Sequence, residues 1–205
     1  MGTRMKPTKT TGRKHSTQRG FALIEVMIAM VVLTVGLLAV FASFATAIAA
    51  TEEAQENLIA RHKALDAMES IYTARNSQQI PFAAINNVAN GGSFLSGPQP
   101  LLCAGNDGLV GTADDVACTT TAGVVCPNGG VECLVLPGPD GVLGTADDQI
   151  QSLANFTRTI SINQVLLPDG TVNQNLMAIS ITVSYQKTGW PAHSYTTNGL
   201  ISSYH

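Results

Sequence analysis

Charged and aromatic side chains are scarce in this chain. Charged residues make up 12% of it, aromatic residues make up 5%, and there is one tryptophan. Basic residues are especially few after position 20, where five of them face fourteen acidic residues and give a net charge near −9. Because binding to nucleic-acid phosphates needs clustered cations, this composition argues against a nucleic-acid partner. It favours a soluble surface whose copies repel one another.

The chain also lacks the patterns of common catalytic and metal sites. It has no nucleophile elbow, no phosphate-binding loop and no Cys-x-x-Cys pair. No histidine stands at metal-ligand spacing from another, the four being His15, His62, His193 and His205. We therefore expect a protein that is not an enzyme.

One stretch lacks charge almost completely and suits a lipid or protein interior. From Val26 to Ala50 no residue is charged, and Glu25 is the single acid in the apolar run that starts at Phe21. As a helix, the run would be about 45 Å long at roughly 1.5 Å per residue, and a bilayer core needs only ~20 residues. Residues 1–20 carry six basic residues and no acid. This positive flank predicts a single membrane span with its N-terminus in the cytoplasm.

The junction Gly20-Phe21-Ala-Leu-Ile-Glu25 follows a basic leader and begins the apolar run. It resembles the processing site of type IV prepilins and of type II secretion pseudopilins, and the resemblance extends over roughly residues 13–50. The resemblance implies that a prepilin peptidase removes residues 1–20 and that Phe21 is then N-methylated. The stretch from Val31 to Leu38 looks most like the minor pilins of the type IV system.

The same resemblance implies where the protein resides and what it contacts. It implies a bacterial inner-membrane protein that later joins a filament on the cell surface. Its partners would be other pilin subunits, the prepilin peptidase and the assembly platform of the inner membrane.

The carboxylate of Glu25 has a specific expected partner. Cleavage after Gly20 would leave a cationic amine on Phe21, and Glu25 is the only anion nearby in the sequence. When subunits stack, Glu25 of one subunit can pair with the amine of a neighbour. Because an unpaired buried charge costs several kcal/mol, that pairing would fix the register of assembly. The alternative is that Glu25 only complements the N-terminus of its own helix, a contribution of about 0.3–1 kcal/mol.

After the apolar run, residues 51–75 are rich in good helix formers and contain no proline. We therefore expect one helix over 21–76, with its transmembrane or filament-core half at 21–50. Leu58, Leu65 and Tyr72 recur every seven residues with Met68 between them, and they predict the apolar face of its second half.

Residues 77–205 are predicted to form an extracytoplasmic, β-rich head. Apolar residues alternate with polar ones over 156–162 and 177–185, and a last strand is expected within 193–203. The predicted fold class is α+β, in which a long N-terminal helix packs on a small antiparallel β-sheet. This is the lollipop of pilins, so the pattern and the resemblance agree.

Four cysteines lie within 31 residues, in a section that spans 103–150. An even number of cysteines beyond a membrane segment predicts disulfides in an oxidising compartment. Three pairings are open, and sequential pairing closes the shortest loops: Cys103 with Cys118, and Cys126 with Cys133. Zinc is the rival interpretation, but the section has no Cys-x-x-Cys pair and no histidine.

The same section contains an acidic repeat. The segment from Gly105 to Asp115 recurs from Gly138 to Asp148, with eight of eleven positions identical at a spacing of 33. Glycines allow each copy to fold back and bring its carboxylates together, and Ca²⁺ prefers six to eight oxygen ligands. We therefore expect one Ca²⁺ in each loop, or one ion between both loops, with ligands from Asn106, Asp107, Asp114, Asp115, Asp140, Asp147 and Asp148. The alternative is a pair of hairpin turns, since Asp-Gly alone is a strong turn signal.

Three functions fit these observations. The first is a structural minor subunit of a type IV pilus, cut between Gly20 and Phe21 and assembled through its N-terminal helix. The second is a type II secretion pseudopilin, and the third is a membrane-anchored Ca²⁺-dependent binding module or adhesin. The third predicts no processing.

Overall fold

The computed structural model describes residue 2, residues 21–187, residue 189 and residues 191–204, with side chains from residue 23 onward. The predicted leader and its last residue, Gly20, therefore lie outside the described residues, apart from residue 2. By its internal contacts the chain divides into one unit that ends at Thr51 and a second that runs from Glu52 to His205.

Helix α1 runs from Phe21 to Asn76. No proline interrupts it, and its residues favour helix in both its apolar and its polar halves. Within the first unit its large apolar side chains are exposed, for example Leu38 and Phe41. This helix is long and apolar enough to cross a membrane, judged by length and composition, with a mean hydropathy of 2.7 in its most apolar window.

The second unit is built on a four-stranded antiparallel sheet in the order β1-β4-β5-β6. Strand β1 is Gln99–Pro100, β4 is Phe156–Leu166, β5 is Val172–Tyr185 and β6 is His193–Ser202. A separate two-stranded hairpin pairs β2, Cys133–Leu136, with β3, Gln149–Ser152. Short helical turns occupy Phe82–Ala84, Val88–Asn90 and Pro127–Gly130. The predicted α+β class, a long N-terminal helix with an antiparallel β head, is confirmed.

The core of the head lies between the second half of α1 and one face of the sheet. On β4, alternate residues are buried from Phe156 to Ile162, as the period of a strand requires. The helix contributes six buried apolar residues, Ala60, Ala64, Ala67, Met68, Ile71 and Ala74.

The apolar face predicted for this half of the helix is correct for Met68 and for Tyr72, which packs against the core, but wrong for Leu58 and Leu65. Leu58 is 54% exposed and Leu65 is 41% exposed, although Met68 is buried. Four of the six buried helix residues are alanines, whose short side chains allow a helix to approach a sheet closely. Leu58 and Leu65 therefore lie on a different side of the helix from its buried alanines.

Polar contacts join both ends of this helical segment to the sheet or to residues just beyond its strands. Glu52 pairs with Lys187, and Oε1 of Glu53 lies 3.5 Å from Nδ1 of His193. Near the other end, the hydroxyl of Tyr72 donates a hydrogen bond of 3.0 Å to the carbonyl oxygen of Leu200 on β6.

The side chain of Asn87 attaches the connection between α1 and β1 to β4. Nδ2 of Asn87 donates to the carbonyl oxygen of Ile160 at 2.8 Å, and Oδ1 of Asn87 accepts from the backbone N–H of Ile162 at 2.9 Å. An amide side chain can do both because it carries a donor and an acceptor.

Candidate functional site

The predicted processing and assembly residues lie at the start of α1. Phe21 is the first residue of that helix, and Glu25 follows about one turn later with an exposed side chain. From Phe21 to Thr51 the sequence contains no other charged residue. Cleavage at Gly20 and the pairing of Glu25 across subunits remain predictions.

The predicted disulfide pairing is confirmed. Cys103 is bonded to Cys118, and Cys126 is bonded to Cys133, so none of the four is available as a zinc ligand. The first disulfide encloses the first acidic loop, and the backbone of Cys103 exchanges two hydrogen bonds with Val116 just inside it. The second acidic loop is closed instead by the hairpin of β2 and β3.

The first acidic loop, Gly105–Asp115, is held by hydrogen bonds from its own backbone to its own carboxylates. Oδ1 of Asp107 accepts from the N–H of Leu109 at 2.8 Å, and Oδ2 of Asp114 accepts from the N–H of Asp107 at 3.1 Å. Oδ2 of Asp115 accepts from the N–H of Gly111 at 2.8 Å. Three acids at these positions thus close a compact turn.

The second acidic loop, Gly138–Asp148, repeats those three hydrogen bonds. Oδ1 of Asp140 accepts from the N–H of Val142 at 2.8 Å, and Oδ2 of Asp147 accepts from the N–H of Asp140 at 3.3 Å. Oδ2 of Asp148 accepts from the N–H of Gly144 at 2.7 Å. The sequence repeat is therefore also a structural repeat.

The first residue of each loop must be glycine for this turn to close. A Cβ on Gly105 would lie 2.0 Å from the carbonyl oxygen of Asp114, and a Cβ on Gly138 would lie 2.3 Å from that of Asp147. Both distances are far shorter than a van der Waals contact with backbone.

A threonine hydroxyl completes each loop and holds one carboxylate in its charged form. The hydroxyl of Thr112 donates to Oδ1 of Asp114 at 2.7 Å, and that of Thr145 donates to Oδ1 of Asp147 at 2.6 Å. These bonds, followed by those from the N–H groups of Asp107 and Asp140, lower the pKa of Asp114 and of Asp147.

The surroundings of the two loops differ completely. In the first loop Leu109 is 1% exposed, and Asp115 lies against the buried guanidinium of Arg158, with 3.9 Å between Oδ2 and Nη2. In the second loop Val142 is 55% exposed and Leu143 is 61% exposed. The first loop is thus docked into the head, and the second presents the same structure to solvent.

Arg158 is the residue of this region that the sequence reasoning missed. It is 2% exposed, and burial lowers its pKa, while Glu132, Asp115 and Asp66 oppose that shift. Burial likewise raises the pKa of Asp115, against the effect of the N–H groups of Gly111 and Thr112 and of Arg158. The sequence could have indicated this burial. Arg158 is two residues from both Phe156 and Ile160, so it lies on the same, core-facing side of β4.

The predicted Ca²⁺ ligands come together as two separate groups, one in each loop. Asn106 is exposed, and in both loops the carboxylates accept hydrogen bonds from N–H or O–H groups of the loop itself. Within the described ranges, no group of three or more His, Cys, Asp or Glu side chains has an arrangement that could hold a metal ion. Ca²⁺ binding therefore stays a prediction.

Titration calorimetry on the full chain in detergent tests that prediction. If the loops bind Ca²⁺, millimolar Ca²⁺ is expected to give a binding heat and to raise the unfolding temperature. Asp114→Asn combined with Asp147→Asn should remove both effects, whereas Asp169→Asn, outside the loops, should not. A wild-type chain without heat or thermal shift would contradict Ca²⁺ binding.

One comparison with known proteins bears on the N-terminal region. The family model described as the prokaryotic N-terminal methylation motif matches residues 15–41. The matched segment includes Gly20, Phe21 and Glu25 and more than a third of helix α1. No curated protein and no solved structure matches the chain.

Proposed function

We propose that this chain, which its N-terminal methylation motif marks as a type IV prepilin-like protein, is a structural minor subunit of a type IV pilus. The motif is that of structural, pilin-type proteins and not of enzymes. The observation that carries the proposal is the match over residues 15–41, which spans the leader junction and continues into an apolar helix. The motif and this helix together indicate anchoring in a membrane before assembly.

The proposed maturation begins with cleavage between Gly20 and Phe21 by a prepilin peptidase, followed by N-methylation of Phe21. Before cleavage the basic leader would lie in the cytoplasm, because positively charged flanks are retained there. The head would then face the outside of the inner membrane, where its two disulfides are stable. After maturation the subunit would join a cell-surface filament through the assembly platform and its fellow pilin subunits.

In the filament, Glu25 would pair with the Phe21 amine of a neighbouring subunit. The sequence supports this pairing because it offers no other charge between Phe21 and Thr51. Once the apolar helices have packed together, either charge alone would be buried without a partner. Such a charge costs several kcal/mol, so only subunits in register would assemble.

Two other functions would also account for parts of these observations. A type II secretion pseudopilin would have the same leader, cleavage and helix, and neighbouring genes for a secretion system rather than a pilus would favour it. A membrane-anchored, Ca²⁺-dependent binding module or adhesin would keep its leader. The motif match favours the first two over the third.

Mass spectrometry of the protein purified from its own cells tests the maturation step. The expected N-terminal residue is Phe21 carrying one methyl group. A strain without prepilin peptidase should instead retain the leader, and this strain is the control. An unprocessed N-terminus in peptidase-positive cells would contradict both filament functions and leave the anchored module.

A further inference from the structure

The two acidic loops have the same internal structure, but the first packs against β4 and Arg158, whereas Val142 and Leu143 of the second are exposed. The contacts of the first loop therefore show which kind of surface a loop of this conformation can pack against. Leu109 enters the apolar core, and a Cβ on Gly111 would lie 2.7 Å from Cδ1 of Ile160, so the loop backbone is in close contact with β4. Beside this contact, Arg158 faces Asp115. We call this combination of an apolar recess and a buried arginine the socket.

The second loop exposes the groups that the first loop buries. Val142 occupies the position of Leu109, and Leu143 that of Val110, and both are more than half exposed. Asp148 occupies the position of Asp115. Its Oδ2 accepts the N–H of Gly144, as Oδ2 of Asp115 accepts that of Gly111 beside Arg158. Oδ2 of Asp148 is therefore the oxygen that corresponds to the one facing the guanidinium of Arg158 in the first loop.

The loop is also ready to bind without rearrangement. Its three carboxylate-to-backbone hydrogen bonds and the β2–β3 pairing hold it in the conformation that the first loop has when docked. Binding by a structure that is already ordered loses less conformational entropy than binding by a flexible loop.

We propose that the second loop, Gly138–Asp148, docks on another protein whose surface offers an arginine beside an apolar recess, the chemistry of the socket. Val142 and Leu143 would fill the recess, and Asp148 would accept from the guanidinium. The partner is not a second copy through the same surface, because the socket of each copy is already filled by its own first loop. The proposal does not require the chain to be a filament subunit.

Site-specific photocrosslinking of the full chain in its own cells tests the docking. Leu143→p-benzoylphenylalanine should give a light-dependent adduct with another protein, and mass spectrometry should place the attachment beside an arginine. Val124→p-benzoylphenylalanine is the control, since Val124 is 54% exposed but lies outside both loops. It should not give this adduct.

Asp148→Asn, combined with the photoreactive residue, should lower the yield of the adduct about tenfold, the effect of losing one charge-assisted hydrogen bond. Asp147→Asn, which alters the carboxylate equivalent to Asp114 rather than to Asp115, should change the yield less than about twofold. Equal losses from the two variants would overturn the arginine contact. An absent adduct, an adduct with a second copy or with lipid, or one abolished by removing Ca²⁺ would overturn the docking proposal.

Discussion

Leu109→Ala is expected to lower the free energy of unfolding of the head by about 3 kcal/mol, whereas Val142→Ala is expected to change it by less than about 0.5 kcal/mol. The two residues occupy the same position in loops of the same structure. Leu109 is 1% exposed and belongs to the core, so its truncation removes buried contacts and leaves a cavity. Val142 is 55% exposed and has little buried surface to lose.

Urea unfolding of the full chain in detergent, followed by near-ultraviolet circular dichroism, measures both changes. Leu109→Val, which places the residue of the second loop in the first, is the matched control and should cost about 1 kcal/mol. Equal destabilisation by Leu109→Ala and Val142→Ala would mean that the second loop is packed into the head as the first is. That result would also remove the basis for docking of the second loop on a partner.

The helix and the long strands could be predicted from the sequence because their patterns are strong. Alternation over 177–185 corresponds to strand β5, which extends from Val172 to Tyr185. The buried face of α1 could not be predicted in the same way. Its alanines are small, whereas Leu58 and Leu65 are large and exposed, and the sequence contains no measure of how closely a helix approaches a sheet.

The acidic loops show a second limit of sequence reasoning. Eight identical positions predict that the two copies share a structure, and the repeated hydrogen bonds agree. Their surroundings depend on distant residues, however, since Arg158 and Ile160 lie more than forty positions beyond the first loop. A hairpin turn was the alternative expected at each loop, and the second loop does connect a hairpin. Its strands β2 and β3 could not be predicted, because they have four residues each and no clear alternation. The local sequence therefore predicts the conformation of a loop but not whether that loop packs against the rest of the head.

Glu25→Val is expected to lower incorporation of the subunit into sheared filaments by about 100-fold or more, without affecting membrane insertion. The expectation rests on the proposed pairing with the Phe21 amine of a neighbour. An unpaired buried charge costs about 3–5 kcal/mol, and each 1.4 kcal/mol corresponds to a factor of ten. Insertion should not suffer, because valine is more apolar than glutamate and lengthens the uncharged run.

Quantitative immunoblots of sheared filaments and of membranes from the same cells separate assembly from insertion. Glu25→Gln keeps the size and a hydrogen-bonding group but not the charge, so it should assemble as poorly as Glu25→Val if the ion pair sets the register. Thr34→Val alters the same apolar segment without changing charge and should assemble normally. Both Glu25 variants must still carry a methylated Phe21, because an uncleaved leader would block assembly for a different reason. Normal amounts of processed Glu25→Gln in filaments would show that the charge of Glu25 is not needed, and its role would then be limited to the N-terminus of its own helix.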